Sequence, residues 1–150
     1  MDDLNFNATA VERELNTSGV YASVTSGLSM RPLFKTNRDM VILKKPDREL
    51  KKYDVVLYRL PSGRYVLHRI IRIKDGKLII RGDNTFILEY VAPSDVKAVL
   101  TEFNRKGKRI SIDNKWYVLY SKFWNLIYPV RFLYYKSLSL AKKVYRKIFK

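Results

Sequence analysis

The stretch YVLHRIIRIKDGKLIIR (residues 65–81) indicates a β-hairpin and sets the class of the fold. Residues 65–73 and 77–81 are rich in β-branched and other apolar side chains, and Lys74-Asp75-Gly76 lies between them. An Asp-Gly pair between two such segments is a strong hairpin signal, because both residues tolerate the positive φ angles of a tight turn. The stretch therefore predicts two antiparallel strands, with the only histidine of the chain, His68, on the first.

Most of the remaining chain repeats this pattern of short apolar segments separated by turn residues. Strand-like segments occur at residues 20–24, 40–43, 53–58, 95–103 and 109–112, whereas residues 87–91 are ambiguous. Short strands with turn residues about every 8 to 12 positions are typical of all-β sandwiches and barrels. We therefore predict a mainly β, compact, coiled or barrel-like domain over residues 17–113.

Composition limits the range of functions. The 150 residues include 30 Lys and Arg against 14 Asp and Glu, for a net charge of +16. Such an excess predicts an anionic partner, which could be a nucleic acid, an anionic membrane surface or an acidic polypeptide. Cysteine is absent, which excludes disulfides, thiolate metal sites and a cysteine nucleophile.

The two ends of the chain differ from this domain and from each other. Residues 1–16 form a polar, partly acidic arm, in which residues 9–15 could make a short helix that covers the domain. The arm has the composition neither of a signal peptide nor of a membrane anchor. Residues 114–150 form a basic, aromatic and amphipathic segment, in which every charged residue is basic.

This C-terminal segment has three interpretations. Residues 116–135 have about the length of a membrane span, but Lys122, Asn125, Pro129 and Arg131 interrupt them, which disfavours spanning. Aromatic and basic residues on one amphipathic helix suit peripheral contact of residues 116–150 with an anionic membrane. A helical hairpin packed on the β domain explains the same pattern, and nucleic-acid binding is the least favoured alternative.

Three residues could carry chemistry, although each alone has an ordinary structural explanation. Ser29, in SGLSMRPLF (residues 26–34), follows a glycine and could be a turn residue or an activated nucleophile. Strand alternation places His68 on one face with Val66 and Ile70, as a packed core residue or as a general base. Asp83, in RGDN (residues 81–84), could form an Asx turn or orient a histidine.

Together these segments resemble the S24/S26 serine peptidases. The boxes SGLSMRP, YDVVLYR, YVLHRI and IIRGDN stand in the order and spacing found in the signal peptidase branch of the endoplasmic-reticulum and archaeal kind. The likeness covers about residues 24–84, and more weakly reaches about residue 103. It implies a fold of coiled, barrel-like β-sheets and serine endopeptidase activity that cleaves a leader or signal peptide.

The resemblance also assigns roles to these residues. It implies Ser29 as the nucleophile, His68 as the base and Asp83 as the residue that orients His68, with no metal and no cofactor. Glu89 lies near the position of a second acid in that branch, although its match is poor. Gly27 stands where some members have a serine that donates to the oxyanion, so that donor is missing here.

The chain departs from that family in one further respect and leaves other functions open. Signal peptidases of this branch usually have a membrane anchor before the nucleophile box, whereas residues 1–28 are polar. The expected location is therefore cytoplasmic or peripheral to a membrane. A catalytically inactive relative, or a basic module that binds an anionic membrane or a nucleic acid, is the alternative. Self-cleaving repressors fit less well, since they carry a lysine at the position of His68.

Overall fold

A computed structural model describes residues 7–148 of the chain. Within that range, an eight-stranded antiparallel sheet is accompanied by three α-helices, one of them at the C-terminal end. The prediction of a mainly β fold with a C-terminal helical segment is confirmed at this level. The predicted arm at residues 1–16 lies partly outside the described residues, and so do the last two residues of the predicted C-terminal segment.

The strands follow the predicted segments closely. They are β1 (Val20–Val24), β2 (Met40–Lys44), β3 (Val55–Arg59), β4 (Tyr65–Lys74), β5 (Lys77–Arg81), β6 (Glu89–Val91), β7 (Val96–Arg105) and β8 (Lys108–Ser111). The helices are α1 (Ala8–Thr17), α2 (Lys115–Leu126) and α3 (Tyr128–Ile148), and a 3₁₀ turn covers Pro93–Asp95. The order across the sheet is β1-β2-β7-β3-β4-β5-β6, and β8 pairs with β7.

The β4–β5 hairpin has the turn that its sequence predicts. Asp75 has a φ of 51° and Gly76 a φ of 72°, as both central residues of a type I′ turn require. The turn pairs Lys74 with Lys77. Because the register of a hairpin follows from its turn, this turn sets the pairing of residues 72–74 with residues 77–79, and an irregularity between Ile70 and Arg72 shifts the register before His68.

The two faces of the sheet bury separate apolar clusters. In β3, Val55 and Leu57 belong to one cluster, whereas Val56 and Tyr58 belong to the other. Val66 and Ile70 of β4 lie in the cluster that contains Tyr58, and the Tyr58 hydroxyl lies 3.0 Å from His68 Nδ1. The predicted placement of His68 on the face of Val66 and Ile70 is therefore confirmed.

Helices from both ends of the chain cover the other cluster. Val11 and Leu15 of α1 are buried in it, so the predicted short helix at residues 9–15 forms and covers the domain. Full burial of such a side chain stabilises a fold by about 1.5–3 kcal/mol. Tyr117 of α2 is buried in the same cluster. Both flanking segments thus pack on the sheet through apolar side chains.

Candidate active site

Ser29 lies in a long, tightly bonded loop between β1 and β2. The amide of Thr25 donates to the carbonyl of Asp39 over 2.8 Å, and the Asp39 carboxylate accepts from the amide of Lys35 over 2.7 Å. Thr25 and Asp39 are both buried, so these bonds close the base of the loop away from water. Met30 is 1% exposed and packs in the core beneath the loop. The loop therefore holds Ser29 in a defined position.

The hydroxyl of Ser29 is buried without a partner. Ser29 is 4% exposed, and its Oγ makes no hydrogen bond with any of residues 7–148. A hydroxyl that no described group of the protein bonds is available to a base or a ligand, so this one is a candidate for chemistry. The backbone of Ser29 is well bonded, since its carbonyl accepts from the amide of Asn84 over 2.7 Å.

Ser29 and His68 meet at Gly82, the glycine of the RGDN segment. A Cβ atom on Gly82 would lie 2.7 Å from the carbonyl oxygen of Ser29 and 3.1 Å from Cδ2 of His68. Only glycine allows the three chain segments to approach this closely. Ser29 Oγ does not hydrogen-bond to the imidazole here. Catalytic hydrogen bonds are often long before substrate binds and shorten in the complex.

Glu89 bonds to the His68 ring at Nδ1. Nδ1 of His68 lies 2.6 Å from Oε2 of Glu89, and the Tyr58 hydroxyl donates to the same oxygen. An ionised carboxylate only accepts hydrogen bonds, so Nδ1 must carry the proton in this pair. Nε2 of the neutral ring then carries the lone pair that a general base needs.

Glu89 is stabilised as the anion that this tautomer requires. Partial burial raises the pKa of Glu89, but the hydrogen bonds from His68 and Tyr58 outweigh it and leave the pKa below its ordinary value. The carboxylate is therefore ionised at neutral pH. It can both fix the imidazole and stabilise the imidazolium that forms when His68 accepts a proton.

Asp83, predicted to orient His68, has other partners in the structure. Its carboxylate forms two hydrogen bonds with the guanidinium of Arg69, over 2.8 and 2.9 Å, and accepts a third from the Tyr120 hydroxyl over 2.9 Å. The direct contact with His68 Nδ1 is made by Glu89 instead. The expected role of Asp83 is therefore corrected: it supports the site through Arg69 and α2.

Strand alternation explains this exchange of partners. His68 and Arg69 are consecutive residues of β4, so their side chains leave opposite faces of the sheet. Gly82 comes against the His68 face, and Asp83, the next residue, bonds to Arg69 on the other side. Asp83 therefore pairs with the neighbour of the histidine.

Arg69 is the centre of a buried polar network. Its side chain is fully buried, and beyond Asp83 it donates to the carbonyl of Tyr53 over 3.0 Å and to the Ser121 hydroxyl over 2.8 Å. Burial alone lowers the pKa of Arg69, but the Asp83 carboxylate and the nearby tyrosine hydroxyls raise it above its ordinary value. Burial also raises the pKa of Tyr120, and Asp83 raises it further, so Tyr120 remains a donor.

The C-terminal helices α2 and α3 also bond to the backbone of the RGDN segment. The indole Nε1 of Trp124 and the guanidinium of Arg131 each donate to the carbonyl of Asp83 over 2.8 Å. The Arg131 guanidinium also stacks 3.7 Å from the centre of the Trp124 ring. Sequence reasoning assigned no site role to Tyr120, Trp124 or Arg131, since nothing local links residues 120–131 to residue 83.

A pocket of about 560 Å³ opens beside Ser29. One side is lined by the loop between β1 and β2, through Leu28, Ser29 and Pro32, and another side is lined by Phe86. Residues of α2 and α3 complete the wall, among them Trp124, Arg131, Tyr134 and Tyr135. The pocket is large enough for a side chain of a bound peptide next to the candidate nucleophile.

Comparison with known proteins leaves the family open. The chain matches no model of a known protein family, and a search of curated proteins finds no significant match. The assignment of a function therefore depends on the geometry of the site and on the sequence motifs.

Proposed function

We propose that the protein is a serine endopeptidase of the signal peptidase type, with Ser29 as nucleophile and His68 as general base. The observation that supports this most strongly is the approach of both residues to Gly82: no described residue bonds the buried Ser29 hydroxyl, and the other ring nitrogen of His68 lies against the Glu89 carboxylate. An activated serine needs a base that is itself oriented by a third group. The antiparallel sheet is consistent with the coiled β fold of that family.

The proposed reaction is acyl transfer. His68 takes the hydroxyl proton of Ser29 at Nε2 while Oγ attacks the peptide carbonyl, and the imidazolium then protonates the departing amine. Water hydrolyses the resulting acyl-enzyme, with His68 again as base. Glu89 keeps the proton on Nδ1 throughout and stabilises the positive ring.

Asp83 has a positioning role in this mechanism. Its bonds to Arg69, Tyr120 and Trp124 fix the RGDN backbone, and the next residue, Asn84, bonds to the carbonyl of Ser29. The loop between β1 and β2, which contains Ser29, is thereby held against β5 and α2. Loss of Asp83 should therefore reduce activity through the position of Ser29.

A fluorophosphonate probe tests the nucleophile without knowledge of the substrate. It reacts with activated serines, so mass spectrometry should find the adduct on Ser29 in the wild type. Ser29→Ala should abolish labelling, and His68→Ala should reduce it at least about 100-fold, because the serine loses its base. Ser62→Ala, in an exposed turn, is the matched control and should label normally. Equal labelling of His68→Ala and wild type would refute the mechanism.

We further propose that α3 brings the enzyme to an anionic membrane surface. No helix within residues 7–148 is long and apolar enough to cross a bilayer. Val130, Leu133, Leu140 and Val144 lie at helical spacing and are all largely exposed. The charged residues of α3 are all basic. A helix with an exposed apolar stripe and a basic face is suited to lie in the interface of a bilayer with anionic lipids.

Vesicle sedimentation tests the membrane contact. The full chain should sediment with vesicles of phosphatidylglycerol and phosphatidylcholine, and less with phosphatidylcholine alone or at high salt. Replacing both Leu133 and Leu140 by Glu should abolish binding, whereas Ile73→Glu, an exposed residue on β4, should have no effect. Failure of the wild type to sediment with the anionic vesicles would contradict this proposal while leaving the peptidase proposal intact.

A further inference from the structure

The pocket beside Ser29 combines apolar walls with unneutralised positive charge. Arg31 and Arg131 both line it. Neither forms a salt bridge with any residue in the described range, and the side chain of Arg31 bonds to none of them. Arg31 is exposed to water, whereas Arg131 is half-buried, so its charge carries a desolvation cost that a bound anion would offset.

The surroundings of Arg131 leave it with donors for a ligand. A guanidinium has five N–H donors, and the bond to the Asp83 carbonyl uses one of them. The stacking contact with Trp124 fixes the plane of the group at the pocket wall. A planar, fixed guanidinium is the usual partner of a carboxylate, because two parallel hydrogen bonds can form.

The local charge balance also favours an anion. The carboxylate of Asp83 is the acid that acts electrostatically on Arg69, Arg81 and Arg131 together. Its oxygens are already bonded to Arg69 and Tyr120. Arg69 is fully buried in its pair with Asp83, and Arg81 lines a different pocket, so the positive charge that faces this pocket is that of Arg131 together with Arg31. An anionic group entering from solvent would find a complementary field.

We propose that this pocket is a subsite for an acidic residue of the peptide substrate, whose carboxylate binds Arg131 and Arg31. The stem of that residue and the adjoining chain would pack on Phe86 and Tyr135, which stack on each other with ring centres 4.6 Å apart. This inference rests on the proposed peptidase function. It adds a specificity: Asp or Glu within a few residues of the cleaved bond.

The test measures binding separately from cleavage. Fluorescent, C-terminally amidated hexapeptides of alanine and leucine carry one Glu, or one Gln, at each position in turn. Fluorescence anisotropy with Ser29→Ala as the receptor should show tighter binding of the Glu peptide by at least about tenfold at one or two adjacent positions, because a charge-assisted bond is lost with Gln. The Gln peptide has the same shape and is the matched ligand control.

Variants assign the preference to the pocket. Arg131→Gln in the Ser29→Ala receptor keeps a donor for the Asp83 carbonyl and should remove most of the Glu preference. Arg31→Gln is the second variant, since Arg31 is exposed and its loss should not affect folding; it should reduce the preference. Lys77→Gln, at an exposed position on β5, removes the same charge elsewhere and should change nothing.

Each outcome decides the inference. Equal binding of Glu and Gln peptides at all positions overturns it, and so does a Glu preference that survives both arginine replacements or falls equally in Lys77→Gln. Binding that requires a free C-terminal carboxylate, seen with unamidated peptides only, also overturns it. If the Glu preference is present but wild-type Ser29 neither labels with the fluorophosphonate nor cleaves the peptides, the subsite stands and the peptidase proposal fails.

Discussion

The buried pair of Arg69 and Asp83 makes a strong prediction about stability. Asp83→Asn keeps the size and shape of the side chain, so it opens no cavity, but it removes the carboxylate that bonds to Arg69. The guanidinium is fully buried and cannot turn to water. The new amide group would in addition place its own N–H donors against those of Arg69.

The expected cost follows from the burial of the charge. Breaking a buried ion pair by removing one partner typically destabilises a protein by about 3–5 kcal/mol, because the remaining charge is uncompensated. Domains are commonly stable by about 5–15 kcal/mol, so the loss is a large fraction of the total. With a urea dependence of about 2 kcal/mol per molar, the unfolding midpoint should fall by about 2 M.

Urea unfolding followed by tryptophan fluorescence measures this shift. Asp75→Asn is the matched control, since it makes the same chemical change at an exposed turn where Asn tolerates the positive φ. Its effect should stay within about 0.5 kcal/mol. The double variant Arg69→Met/Asp83→Asn should be less destabilised than the sum of the single variants, because no unpaired charge remains.

The reasoning is refuted if Asp83→Asn and Asp75→Asn unfold at the same urea concentration. That result would mean that the Arg69 charge is compensated elsewhere or is hydrated. If Asp83→Asn is instead as stable as wild type and loses labelling of Ser29 completely, while Glu89→Gln labels normally, Asp83 acts on the candidate base His68, and the assignment of that role to Glu89 is wrong.

Three further predictions concern the candidate dyad. Glu89→Gln should slow labelling of Ser29 by roughly 10²- to 10⁴-fold, because an amide can donate to Nδ1 and stabilise the wrong tautomer of His68; unchanged labelling would remove Glu89 from the site. Because the pKa of Glu89 is lowered in the folded protein, its ionised carboxylate stabilises the fold above about pH 4.5, and this stabilisation is lost as the pH falls further. The difference in unfolding free energy between wild type and Glu89→Gln should therefore shrink between pH 5 and pH 3. A constant difference would contradict the lowered pKa of Glu89. Gly82→Ala should slow labelling about 100-fold, because the new methyl group displaces the Ser29 backbone, and a crystal structure with an unmoved loop would contradict this.

Local sequence determined much of the sheet. The Asp75-Gly76 turn predicted both strands of the hairpin, and the alternation over residues 66–70 predicted the face on which His68 lies. Such features can be predicted from sequence because they depend on residues within a few positions of each other. The ambiguity at residues 87–91 has the opposite cause: β6 is only three residues long, and its pairing with β5 defines it.

The C-terminal segment shows where sequence pattern is insufficient. Its aromatic and basic composition allowed both a packed helical hairpin and a helix lying on an anionic membrane, because both bury aromatic rings, and it disfavoured a membrane span. The structure buries Tyr117 and Ser121 of α2 against the sheet and leaves the apolar stripe of α3 exposed. The division between the two helices depends on which side chains meet the RGDN segment, and no local pattern encodes it.

The sequence by itself determined the antiparallel strands, since turn chemistry and strand period act locally, and it singled out Ser29 and His68 as a candidate nucleophile and base. Only the tertiary structure decided which acid serves the histidine. Glu89 reaches His68 because β6 pairs beside β5, and Asp83 reaches Arg69 because consecutive side chains of a strand leave opposite faces. Which side chains of distant segments become partners depends on the packing of the whole sheet. No single segment specifies that packing.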